Sequence, residues 1–105
     1  MAPSASLESF AQRWAAKLTR IYDRIEHGEV MIERPHQHHH QGQRIHVRVT
    51  LGVPGPDIVV SHEQAQGGAH EDAYVAVRDA FRAARRQLEG HVQRQRHEDR
   101  DLMRP

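Results

Sequence analysis

From His70 to about Val92 the chain reads HEDAYVAVRDAFRAARRQLEGHV, and its apolar residues are spaced for one face of a helix. Tyr74, Val77, Phe81, Ala84, Leu88 and Val92 follow steps of 3, 4, 3, 4 and 4, so they stack into a single stripe. Glu71 and Asp72 put negative charge in the first turn, and Arg85 and Arg86 lie towards the other end. Both placements suit the helix dipole. Gly90 either ends the helix or sits inside it at a cost of about 1 kcal/mol relative to Ala. Such a helix must lie on an apolar surface, which the rest of the chain has to supply.

A second pattern of the same kind stands near the N-terminus. Leu7, Phe10, Trp14, Leu18, Ile21 and Ile25 are again spaced by 3 and 4. Ser6 is the expected N-cap, the helix is predicted to run to about Glu26, and Gly28 is the expected stop. Between the two helices the period changes to two. Glu29–Arg34 (EVMIER) is predicted as a strand ended by Pro35. Arg44–Leu51 is the clearest strand, with Ile45, Val47, Val49 and Leu51 on one side and Arg44, His46, Arg48 and Thr50 on the other. The alternation predicts one buried face and one wet, basic face. GVPGP signals a turn, and Asp57–Ser61 (DIVVS) reads as a third strand.

The predicted order is therefore α-β-β-β-α. Short connections make the strands an antiparallel three-stranded meander with both helices on its apolar face, an α+β two-layer sandwich. At 105 residues the chain suits one domain spanning 1–105. Residues 1–5 and about 97–105 are expected to be flexible.

Composition narrows the functional classes. There is no Cys, which excludes disulfides and thiolate chemistry. The longest apolar runs are a few residues, far short of the roughly 20 needed to span a bilayer. The start, MAPSASLESF, lacks the charged opening and apolar core of a signal peptide, so a cytoplasmic protein with no membrane partner is expected. Net charge is only +1 with His neutral, but Lys17 is the single lysine among 15 cations. Arginine makes forked contacts with phosphate and stacks on bases, so the composition permits an RNA partner.

Three groups of residues are candidate sites. His36, His38, His39 and His40 share the loop PHQHHHQGQ, weak candidates for holding Zn, Ni or Cu. The paired ligand spacing of structural zinc sites is absent, and a His-rich hairpin loop is the simpler reading. No metal or other cofactor is expected. Ser61-His62 and the scattered carboxylates form no recognisable nucleophile–base arrangement, and GVPGP lacks the Lys-Ser/Thr ending of a phosphate loop. An enzyme is not expected.

The third group is cationic. Arg13, Lys17, Arg20 and Arg24 fall at steps of 4, 3 and 4 on the first helix, in a stripe about 60° wide beside the apolar face. Arg78, Arg82 and Arg85 flank the apolar stripe of the second, with Arg86 further round. Asp79 and Glu89 interrupt this series and are placed to pair with it. A solvated, salt-bridged flank accounts for either series alone. Laid side by side, the two helices would line one basic surface suited to a phosphate backbone.

The ordered combination resembles the ribosome hibernation-promoting factor / ribosome-associated inhibitor A family, also called sigma-54 modulation proteins. In the second helix, Asp72-x-Tyr74-x-Ala76-Val77, then Phe81, then Arg86-Gln87-Leu88 is similar to that family's closing helix. In the first, LESFAQRWAAKLTRIYDRI is similar through Lys17-Leu18 and Tyr22-x-x-Ile25. Glu33-Arg34-Pro35-His36 with RIHVRVTLGVPGPDIVV resembles the strand pair of a short subgroup, so the likeness spans roughly residues 7 to 92.

The resemblance implies a non-catalytic, cytoplasmic factor that binds 16S rRNA of the small ribosomal subunit near the mRNA and tRNA channel and silences idle ribosomes under stress. It implies rRNA contacts through Lys17 and Arg20 on the first helix and Arg78, Arg82, Arg85 and Arg86 on the second, and no DNA partner. It also implies a strand before the first helix, for which MAPSAS leaves no room. A three-stranded sheet with an exposed Glu29–Arg34 edge is expected instead, and with it a homodimer through that edge. The order α-β-β-β-α is shared with double-stranded-RNA-binding domains, so a general structured-RNA module is the alternative; His70-Glu71-Asp72 stands where those domains carry lysines. A metal-responsive protein using the His36–His40 loop is the remaining reading.

Overall fold

Residues 5–33, 44–65 and 71–102 are described by a computed structural model. Helix α1 (Ala5–Ile21) leads to strands β1 (His27–Glu33), β2 (Arg44–Gly52) and β3 (Ile58–Ala65), and helix α2 (Glu71–Leu102) closes the chain. The strands form one antiparallel sheet in the order β1-β2-β3. Both helices pack on the same face, so the α+β two-layer sandwich is the observed fold.

Its core follows from the two periodicities. Ile45, Val47, Val49 and Leu51 all point from β2 to the helix side and are buried, joined by Ile58 and Val60 from β3. Above them α2 lays down Ala73, Ala76, Val77, Ala80, Phe81, Ala84, Leu88 and Val92. The small alanines let that helix sit close to the sheet, while Phe81 reaches sideways to Trp14 of α1. Ring contacts tie the two helices together: Phe10 meets Tyr74 edge-on at 5.1 Å, Trp14 stacks on Phe81 at 6.0 Å, and Tyr22 meets His91 at 5.6 Å. Residue numbers rise together along both helices in these contacts, so α1 and α2 run side by side in the same direction.

Element boundaries differ from the expectations in five places. The first helix ends at Ile21 rather than near Glu26. Tyr22 is held in the core beside His91, and the Glu26 amide donates to the Gly52 carbonyl at 2.8 Å, drawing the chain into the sheet. Ser6 lies within the helix rather than capping it. Gly28 is no stop but a strand residue, because β1 begins at His27 and pairs through Gly28↔Leu51. The third strand continues past Ser61 to Ala65, since β2 offers pairing partners as far as Arg44↔Ala65. The apolar pattern of α2 ends at Val92, yet the helix runs through Gly90 and on to Leu102, so the chain from about residue 97 to 102 has helical backbone.

Two glycines answer to geometry. Gly55 takes φ 90° in the turn between β2 and β3, where a side chain would be strained. Gly52 lies under the His27 ring, and a Cβ there would overlap the imidazole.

Candidate nucleic-acid interface

On α1, Arg13, Lys17 and Arg20 are exposed. Lys17 fixes where that row lies, because its ammonium sits 4.7 Å over the Trp14 ring, a cation–π contact. Trp14 in turn stacks on Phe81 of α2. The cationic row therefore borders the seam between the helices. Arg24, expected on the same helical stripe, stands in the turn after α1 and is exposed there.

On α2 the arginines divide into two kinds. Arg78 is half-buried and bonds Asp79, its Nε and Nη2 each 3.2 Å from Oδ1. Arg85 pairs with Glu89 one turn on, at 3.7 Å. These are the local pairs expected from the sequence, and they neutralise half of the series. Arg82 and Arg86 are exposed and have no ion-pair partner among the described residues. Arg13, Arg20 and Arg24 share that condition. The outer surface of the helix layer thus carries cations that no acid among the described residues pairs with.

The last three turns of α2 add Arg94, Arg96 and Arg100, all exposed. Glu98, Asp99 and Asp101 stand among them, three acids against three arginines, and His97 pairs with Asp101 at 3.6 Å. That overhang is charge-balanced. Its helical continuation is invisible to apolar spacing, because no core lies beneath it.

The outer face of the sheet is not basic, contrary to the reading of β2 alone. Glu33 pairs in register with His46, and Glu63 lies opposite it on the other side. Glu63 accepts from Arg44 at 3.2 Å and lies 3.5 Å from His46. Arg48 contacts the Met31 sulfur at 3.6 Å. Strands distant in sequence thus bring carboxylates to a strip that is cationic when β2 is read by itself.

Adjacent residues on a strand face opposite ways, so Ser61 is exposed on the outer face while His62 turns to α2, 4.0 Å from Asp79 Oδ2. They form no catalytic pair. The described residues contain no group of three or more His, Asp or Glu able to hold a metal; His36, His38, His39 and His40 lie outside them. No described helix is long and apolar enough to cross a membrane.

The described residues thus form an α+β domain whose paired helices present exposed arginines without ion-pair partners among those residues. A family model described as sigma 54 modulation protein / S30EA ribosomal protein matches residues 1–96. The chain therefore belongs to that family of ribosome-associated, non-enzymatic factors. No curated protein matches it.

Proposed function

We propose that this protein is a hibernation factor that binds the small ribosomal subunit through the outer surface of α1 and α2 and inhibits translation by occupying the mRNA and tRNA path. The observation that carries this reading is the set of uncompensated cations, with Arg82 and Arg86 on α2 and Arg13 and Arg20 on α1, on a chain of a ribosome-associated family. Lys17, Arg24, Arg78 and Arg85 complete the proposed rRNA-contacting set. Phosphate contact releases condensed counterions, so affinity would fall steeply as salt rises. The helix layer would supply positive charge on a rigid frame, and shape would supply the choice of rRNA over other polyanions. The cytoplasm, where ribosomes are, is its proposed location.

The test is co-sedimentation of the purified protein with ribosomes and isolated small subunits at about 50 and 200 mM salt. Co-migration with the small subunit at low salt, weakening at the higher, is the expected result. A protein that stays at the top of the gradient at low salt overturns the proposal. Equal competition by free duplex RNA would instead favour a general structured-RNA module.

A further inference from the structure

The two edges of the sheet are covered differently. β3 lies beneath α2, which spans β2 and β3. Beside β1, α1 stands off across a cleft of about 270 Å³. Ala11 and Ala15 line it from the helix, Val30 and Ile32 from the strand, and Phe81 from α2. Val30 and Ile32 point to the helix side yet are only half-buried. Among the described residues no strand pairs with the free edge of β1.

That edge carries two outward-pointing glutamates, Glu29 and Glu33, but none of the other usual guards. Sheet edges are commonly guarded by lysine, proline, a bulge or an inward-pointing charge. From His27 to Glu33 the strand reads HGEVMIE, with no Lys, Arg or Pro, and its inward residues are Gly28, Val30 and Ile32. Met31 on the outer face is 43% exposed.

We propose that β1 pairs antiparallel with β1 of a second copy of this chain, joining two three-stranded sheets across a two-fold axis at Val30. A symmetric interface must be self-complementary, and the strand's own residues select the register. Opposed residues in an antiparallel pair face the same side, so the axis falls on a residue. With the axis at Val30, Ile32 lies opposite the second copy's Gly28, the bulkiest inward residue beside the smallest. On the outer face Glu29 then meets Met31, and Glu33 meets His27. An axis at Met31 would oppose Glu29 to Glu33 twice, and one at Glu29 would oppose that carboxylate to itself. Like charges directly opposed are destabilising. Of the registers that pair five or more residues of β1, only the Val30 one combines apolar matching inside with no opposed carboxylates outside.

In this arrangement the second copy's Val30 and Ile32 close the open side of the cleft. The basic row of α1 borders the α2 seam, away from β1, so dimerisation leaves both helix surfaces free. The inference goes beyond ribosome binding and does not depend on it.

The register can be tested directly because the natural chain has no cysteine. Glu29 and Met31 are both exposed, so Glu29→Cys and Met31→Cys should fold. Under mild oxidation a mixture of the two variants should form a disulfide-linked mixed dimer, several-fold more than either variant alone. Identical positions would lie beyond the roughly 7 Å Cα separation that a disulfide spans. Sedimentation velocity of the unmodified chain should show a concentration-dependent dimer, and Met31→Lys should abolish it with unchanged circular dichroism. A monomer at several hundred micromolar overturns the proposal. Equal cross-linking by either variant alone overturns the register. The Arg82→Glu, Arg86→Glu double variant should dimerise normally, which separates this inference from ribosome binding.

Discussion

The two outer surfaces of the sandwich both carry arginines and put them to different use. On the sheet, Arg44 is held by Glu63, and Arg48 rests against Met31. On the helices, Arg82, Arg86, Arg13 and Arg20 stand exposed without ion-pair partners among the described residues. The difference has a geometric origin. A strand's neighbours are residues far away in sequence, and here β3 brings Glu63 to Arg44 while β1 brings Met31 to Arg48. A helix's neighbours are its own residues nearby in sequence, and among the described arginines of the helices only Arg78, beside Asp79, and Arg85, one turn before Glu89, pair with an acid. A basic residue type therefore says little about local charge until its lateral neighbours are known.

The comparison breaks first if the platform under the helix surface is lost. Phe81 is fully buried, stacks on Trp14 and fixes the α1–α2 seam. Phe81→Ala is expected to cost about 3–5 kcal/mol of stability, measured by urea unfolding, and to scatter the cations on both sides of the seam. Next in size is the charge test. Arg82→Glu with Arg86→Glu should weaken ribosome association by about a hundredfold or more at low salt, with an unchanged unfolding midpoint. Unaltered co-sedimentation by the folded double variant would remove these residues from the interface.

The sheet surface supplies the matched control. Arg44→Ala with Arg48→Ala should alter ribosome association by no more than about threefold, because Arg44 is already paired with Glu63 and both arginines lie on the face opposite the proposed interface. A loss as large as that of the helix variant would mean that the wrong surface had been assigned. The smallest effect concerns the seam itself. The Tyr22 hydroxyl is buried with no hydrogen-bond partner among the described residues, so Tyr22→Phe should leave stability unchanged or raise it by about 1 kcal/mol. A marked loss in denaturant unfolding would show that the hydroxyl is hydrogen-bonded after all.

Much of this was legible in the sequence. The steps of three and four in α1 and α2 and the alternation in β2 depend on neighbours a few residues apart, so periodicity alone gave both helices, the central strand and the element order. The local pairs Arg78–Asp79 and Arg85–Glu89 were legible for the same reason. Boundaries were less so. Glu63 joins a strand because β2 offers it a backbone partner, whereas its polar surroundings signal a loop. Residues 93–102 continue a helix with no core beneath them to impose a pattern.

By itself the sequence determined the fold class, the absence of thiol chemistry and which helix flanks are cationic, since each follows from residue type and short-range spacing. Only the tertiary structure decided which cations stay uncompensated, why the sheet's outer face is not basic, and that β1 keeps an open edge beside a cleft. Those properties depend on which distant residues become lateral neighbours. Strand register and helix docking set that, and linear spacing does not encode it.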